Sequence, residues 1–289
     1  MTKPKLSFWQ IWNLSFGFLG VQIGYSLQNS NTSSIFESLG ADVSHLSYFW
    51  LAAPLAGMIV QPIVGLFSDG TWTRWGRRIP YILGGSLIST LALVLMPNCP
   101  KLLAFAPLAM GAFILLFMDL SFNVTMQPFR ALVADMLDDS QKTQGYVVQT
   151  FLINLGAVVG AILPLVMTWL GVSDEAAPEH VSPHIVYSYY AGGAILLLTV
   201  LVTSFKTREY PPGEFARYNN LSDEGGAKPV SFAGLMRNVP GVMVRLGVTQ
   251  FFSWAALFLM WTYLKPAITG VVTCLLYTSD AADDKARVD

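Results

Sequence analysis

Phe117-Met118-Asp119-Leu120-Ser121-Phe122-Asn123-Val124-Thr125-Met126-Gln127-Pro128-Phe129-Arg130-Ala131-Leu132 sets a carboxylate and a guanidinium in one apolar stretch. The run that leads into it, Leu102 to Met118, approaches the length that crosses a bilayer. A charge there costs about 2.5–3.5 kcal/mol on insertion scales, so such groups face a water-filled cavity and mark an ion or substrate path. On one helix, Asn123, Met126 and Arg130 follow Asp119 at i+4, i+7 and i+11. At about 100° per residue they fall within roughly 60° of one another. The pattern is a polar stripe on an apolar helix, as expected of the coupling site of a transporter.

Composition agrees. Of 289 residues, 53% are hydrophobic and 12% charged, whereas globular domains carry about 25% charged residues. The net charge of −1 argues against a nucleic-acid partner. Cys99 and Cys274 make no disulfide framework, and His45, His180 and His184 lack metal-ligand spacing, so neither a metal nor a cofactor is expected. No nucleophile–base pair or phosphate loop is present in the sequence, so no enzyme is expected.

Apolar segments recur at about Phe8–Gln28, Tyr48–Phe67, Ile79–Met96, Leu102–Asn123 (with a possible run on to Leu132), Tyr146–Leu170, Val186–Phe205 and Val242–Leu264. Lys3, Lys5, Arg74, Arg77, Arg78, Lys142, Lys206, Arg208, Arg217, Lys228 and Arg237 fall on one side of this topology, and the fifth-to-sixth loop is acidic (Asp174, Glu175, Glu179). The positive-inside rule then makes the amino terminus cytoplasmic. The stretch Lys206–Pro240, with Pro211-Pro212 and Gly225-Gly226, reads as a flexible linker.

Gly17, Gly20 and Gly24, and Gly156 with Gly160, stand at helical spacing, the pattern by which membrane helices approach closely. Gln22, Ser26 and Asn29 form a second stripe on the first span. It serves either hydrogen bonds between helices or the lining of a cavity suited to a neutral polyol.

Gly65-Leu66-Phe67-Ser68-Asp69-Gly70-Thr71-Trp72-Thr73-Arg74-Trp75-Gly76-Arg77-Arg78 resembles the cytoplasmic signature of the major facilitator superfamily: a Gly, an Asp, then a Gly followed by two basic residues. The long spacing from Asp69 to Gly76 is similar to that of plant sucrose transporters and bacterial glycoside–cation symporters. Gly70 replaces their usual basic residue after the Asp, which leaves Arg74 as the nearest cation in sequence. Asp119, Asn123, Gln127, Pro128, Arg130, Ala131, Leu132, Ala134 and Asp135 resemble a run of the same group. Phe251-Phe252-Ser253-Trp254 through Phe258-Leu259-Met260-Trp261 looks like the opening of its seventh helix. The resemblance covers about Leu6 to Gly270. Cys274 to Asp283 resembles the translated end of a sequencing adapter, so a truncated fragment with native sequence ending near Thr273 is expected.

The resemblance implies an all-α membrane protein: the N-terminal six-helix half of a major facilitator superfamily transporter, made of two inverted three-helix repeats, plus a seventh helix. Residues 1–205 would be that half, 206–240 a cytoplasmic linker, 241–273 the seventh helix and 274–289 a non-native tail. The implied function is proton-coupled symport of a sugar, of sucrose, maltose or related glycoside type, by alternating access around a midplane site. A sodium-coupled or other small-solute transporter of the superfamily, and a membrane sensor without transport, are the alternatives. Asp119 is the expected proton-coupling group. Arg130, Asn123, Gln127, Gln22, Ser26 and Asn29 are the expected substrate ligands, although Pro128 can bend or end the helix and leave Arg130 at the interface. Gly65, Asp69, Arg74, Gly76, Arg77 and Arg78 would form the gating loop, with Asp135 in the loop or latch. Phe18, Tyr25, Trp254 and Trp261 either stack on sugar faces or serve packing and interface belts. The expected partners are sugar, proton or sodium, the lipid bilayer and a missing C-terminal half. The expected location is a cell membrane crossed several times, such as a bacterial inner membrane.

Overall fold

The computed structural model describes residues 3–40, 46–103, 105–175, 180–218, 239–257 and 259–260, with 46–56 and 59 as backbone only. Among the described residues of the unit Met1–Gly225 there are eight α-helices: α1 (Phe8–Ser38), α2 (Leu46–Gly70), α3 (Ile79–Leu95), α4 (Cys99–Leu102), α5 (Pro107–Met136), α6 (Lys142–Trp169), α7 (Pro183–Lys206) and α8 (Pro212–Tyr218). The unit Gly226–Asp289 contains the helical stretch 241–257, in which the rings of Phe251 and Phe252 meet edge to face at 5.5 Å. The expected partner Trp261 and the tail 274–289 lie outside the described residues, as do His45 and Glu179.

Among the described residues, Ile79–Leu102, Pro107–Met136, Lys142–Trp169 and Pro183–Lys206 are long and apolar enough to cross a membrane. Helix α1 has the length, at 31 residues, but Asn13, Gln22, Gln28 and Asn29 dilute its apolar character. Lipid offers no partner to a backbone amide or carbonyl, so a spanning chain must satisfy these groups within itself, and helices do so.

Sequence explains the helix ends. Ser7 and Gln10 form a capping box: the Ser7 amide donates to Gln10 Oε1 at 2.8 Å, and the Gln10 amide to Ser7 Oγ at 3.4 Å. Prolines 107 and 183 open α5 and α7, where their missing N–H costs nothing.

Two expectations are corrected. The fourth span does not run from Leu102 to Asn123; α4 stops at Leu102 and α5 begins at Pro107 and continues to Met136. Pro128 therefore does not end the helix. A break there would strand several backbone groups in lipid, whereas the proline forfeits one bond. Phe129, Leu132 and Val133, just beyond it, are fully buried and hold the last turns in place. The second correction concerns the hydrophilic stretch after α7, expected as a flexible linker. Its start is structured: Pro212 opens α8, and residues 219–238 lie outside the described residues.

The glycine stripes serve contact between backbones. A Cβ on Gly156 or Gly160 would sit 2.5 Å from the carbonyl oxygens of Leu19 and Ile23, so α6 lies directly on the main chain of α1. The opposite side of α1 meets α7, where Gly20 would place a Cβ 2.7 Å from Leu196 Cα. Thr203 fastens this seam: its hydroxyl accepts from the Gly17 amide at 2.7 Å and donates to the Asn13 carbonyl at 2.9 Å. Helix α5 packs mainly on α3 and α2, and less on α1.

Candidate functional site

Two polar assemblies stand out from the apolar bundle. The first is at the seam of α1, α2 and α5. Asp119 is buried, 2% exposed, and its Oδ1 accepts from Gln28 Nε2 of α1. From Asp119 a chain of carboxamides leads outward. Asn123 Nδ2 donates to the Asp119 carbonyl at 2.8 Å, Gln61 Nε2 of α2 donates to Asn123 Oδ1 at 2.6 Å, and Gln127 Nε2 donates to Gln61 Oε1 at 2.7 Å. Asn123, Gln127 and Gln61 are half-buried, and Arg130 is exposed. Gln61 and Asn123 each both donate and accept, so the chain is polarised in one direction, from Gln127 to Asp119.

The polar stripe on α5 is therefore not uniform. Its residues share one side, but crossing helices cover one end of that side and leave the other open. Asp119, at the covered end, meets Gln28. No ion pair joins Asp119 to Arg130 among the described residues. Tyr25 lies within electrostatic reach of both, and its ring meets Phe122 edge to face at 5.7 Å.

The α1 stripe separates similarly. Gln22 Cβ abuts Gly156, and Ser26 Oγ donates to the Ala157 carbonyl at 2.7 Å, so both face α6. Asn29, exposed, has Tyr25 beside it. Of the two readings of that stripe, contact between helices describes Gln22 and Ser26 here. Phe18 is a core residue, stacked on Phe129 with centroids 5.4 Å apart, and is not free to stack on a sugar.

The second assembly joins the end of α2, the start of α3, the end of α5 and the segment after α7. Asp69 Oδ1 meets Arg78 at 2.5 Å and Arg77 at 3.9 Å; Asp135 Oδ2 serves both, with Arg77 at 2.5 Å and Arg78 Nε at 3.0 Å. Arg78 also donates to Ser68 Oγ at 2.6 Å. Helix α3 has no cap from its own sequence. Glu209 supplies one: its Oε2 accepts from the Arg77 amide at 3.0 Å, and its Oε1 from the amides of Arg78 at 2.8 Å and Ile79 at 2.9 Å. A carboxylate at a helix N-terminus satisfies orphan donors and meets the positive end of the dipole. Burial nevertheless pushes the Glu209 carboxyl above its usual range, against the pull of those three amides and of Arg77.

Local geometry permits this close approach. Residues Thr73 to Gly76 make a tight turn closed by two backbone hydrogen bonds of 3.1 Å. Gly76 has φ 115°, and a Cβ there would lie 2.5 Å from Glu209 Oε1. The Arg77 guanidinium sits 4.2 Å from the Phe215 ring centroid of α8 and 5.8 Å from that of Trp72. Arg74, the cation nearest to Asp69 in sequence, is exposed and outside the ion cluster; Arg78 is the nearest in space. Around Gly65 there is open space.

Gln28, Gln61 and Glu209 were missed in the sequence. Gln28 stands four residues beyond Gly24, on the same small-residue stripe, and that register was its one signal. Gln61 is a lone amide in the apolar α2. Glu209 is one acid in a hydrophilic stretch and carries no local mark.

The sequence profile of the MFS/sugar transport protein family matches residues 35–277. The general alpha-glucoside permease of Schizosaccharomyces pombe is 26% identical over 257 residues, 83% of this chain and 44% of the permease. Sucrose transport protein SUC3 of Arabidopsis thaliana is 31% identical over 157 residues, 49% of this chain and 26% of that protein. Sucrose transport protein SUT5 of Oryza sativa subsp. indica is 25% identical over 268 residues, 83% of this chain and 48% of that protein. The chain thus spans half or less of the length of these relatives, which are named as permeases and transport proteins, not enzymes. With the family match running from the last turn of α1 through every later helix, the chain belongs to the MFS/sugar transport protein family.

Proposed function

We propose that the chain supplies one half of a proton-coupled sugar symporter, with Asp119 as the proton-carrying group and a second half completing the cavity. The carboxamide chain from half-buried Gln127 through Gln61 and Asn123 to Asp119 carries this reading. Paired donors and acceptors suit the hydroxyls of a neutral sugar, and the names of the relatives point to sucrose or an alpha-glucoside. A sugar hydroxyl that replaces one link would disturb the rest, and the last link is the backbone of the acid itself. Arg130 stands exposed beyond this chain and offers a planar donor fork. Gln22 and Ser26, turned towards α6, leave the substrate set in this reading; Gln61 joins it.

The Asp69–Arg77–Arg78–Asp135 cluster with the Glu209 cap serves as a cytoplasmic latch, and the amino terminus lies on the same side. A proton driven through the membrane potential gains about 2.3 kcal/mol per 100 mV, sufficient to concentrate a sugar. The deciding assay is sucrose and maltose uptake into proteoliposomes by a completed transporter under an imposed pH gradient. Asp119→Asn should abolish uphill accumulation while leaving exchange of internal for external sugar. Accumulation driven by sodium alone, or undiminished in the variant, would overturn the proton reading.

A further inference from the structure

The seam of α1 and α5 holds two buried oxygens without a hydrogen-bond partner, Gln28 Oε1 and Asp119 Oδ2. Both belong to side chains already joined by the bond from Gln28 Nε2 to Asp119 Oδ1. A buried polar atom without a partner is rare in native structures, and here there are two on side chains already in contact. One proton resolves both defects. On Oδ2 it turns an acceptor into a donor from which Oε1 can accept, and the carboxyl and carboxamide then share two hydrogen bonds in a closed ring.

From this geometry we infer that Gln28 and Asp119 form a proton-operated clasp between α1 and α5, held by two hydrogen bonds when Asp119 is protonated and by one when it ionises. The inference rests on the reading of Asp119 as a proton site and adds Gln28 as its positioning residue. The step balances simply. An O–H bond forms at Oδ2 with a proton from water and breaks when the proton leaves, and no other bond changes. On ionisation the bond from Gln28 Nε2 to Oδ1 remains, but Oε1 has no donor to accept from, so the ring drops from two hydrogen bonds to one and the seam loosens.

Other groups around the seam do not substitute for that proton. From α1, Tyr25 is the nearby ionisable side chain, and from α5 it is Arg130. Helix α2 contributes the neutral Gln61. Helix α3 contributes Ser89, bonded to Ser121 at 2.8 Å, and α7 contributes Tyr189, which donates to the Leu27 carbonyl at 3.2 Å.

The test is hydrogen exchange of the α1 amides around Leu27 and Gln28, measured for the full chain in lipid nanodiscs from acid to alkaline pH after correction for intrinsic rates. In the native chain, protection should fall at least several-fold as pH rises. Asp119→Asn keeps both hydrogen bonds of the ring with no proton to lose, so its protection should stay high at every pH. Gln28→Leu should be weakly protected at every pH, with the pH step gone. A native chain without the step, or a step that persists in Asp119→Asn, would overturn the clasp. Its failure is separable from that of the functional reading. Proton-driven uptake with no exchange step removes the clasp alone, and an exchange step with proton-independent uptake removes the symport alone.

Discussion

Glu209 caps the helix that Arg78 opens: Oε1 of the acid lies 2.8 Å from the Arg78 backbone nitrogen, although 131 residues separate them. The chain thus fastens the start of its third helix with a residue that follows the seventh. Glu209→Ala removes three acceptor contacts and should cost about 1–3 kcal/mol, read as a lower thermal midpoint in detergent. Glu209→Gln, which keeps acceptor oxygen, should lose less. Equal losses would show that a neutral acceptor oxygen does not sustain the cap and that the carboxylate is required.

The same residue has a pH signature. Burial raises its folded-state carboxyl above the ordinary 4.5, so the fold favours the acid form. The resulting stability is complete below the ordinary value and is lost as pH rises through the higher folded value. The thermal midpoint of the native chain should fall across that window relative to Glu209→Gln, which has nothing to titrate. Parallel pH curves for the two proteins would refute the assignment.

Gly76→Ala combines a positive φ of 115° with a Cβ 2.5 Å from Glu209 Oε1. Backbone strain of this kind costs of order 1–3 kcal/mol, and displacement of Glu209 adds to it. In a double variant with Glu209→Ala the added cost should shrink, because the clash is gone and the strain remains. Additive losses would show that the two positions act independently.

Asp135 serves two guanidiniums that are less than a tenth exposed. Removing one partner of a buried ionic cluster costs about 3–5 kcal/mol. Asp135→Asn should therefore destabilise the chain far more than Asp69→Asn, whose carboxylate is half exposed. Differential scanning calorimetry of the two variants checks the order.

Gln61→Leu breaks the carboxamide chain at its only link outside α5. Each lost hydrogen bond is worth about 1 kcal/mol, so the KM for sugar in a completed transporter should rise several-fold with a smaller change in kcat. An unchanged KM would confine Gln61 to structure.

The sequence disclosed the bundle because lipid leaves so few options. Long apolar runs must be helical, and the glycines at 17, 20, 156 and 160 mark where helices touch. Asp119 stood out for the same reason, as a charge where charge is expensive. Its depth was not legible. The 3.6-residue period puts Asp119 and Arg130 on one side of α5, but which part of that side α1 covers depends on the crossing of two helices distant in sequence. Gln28 and Gln61 escaped because an amide in an apolar run gives no hint of its partner. Glu209 escaped because a cap for α3 that comes from beyond α7 leaves no mark in the sequence around α3. Pro128 misled in the opposite direction, since its local preference to stop a helix yields to the lack of backbone partners in lipid.

Main-chain contact at Gly156 and Gly160, with Ser26 anchored on Ala157, has a mechanical outcome. Helices α1 and α6 cannot slide or roll past each other without a collision of carbonyl oxygens, so they behave as a single stiff lever. A displacement of one of the two helices therefore carries the other with it, and compliance among the described helices falls to the side-chain contacts of α1 with α5.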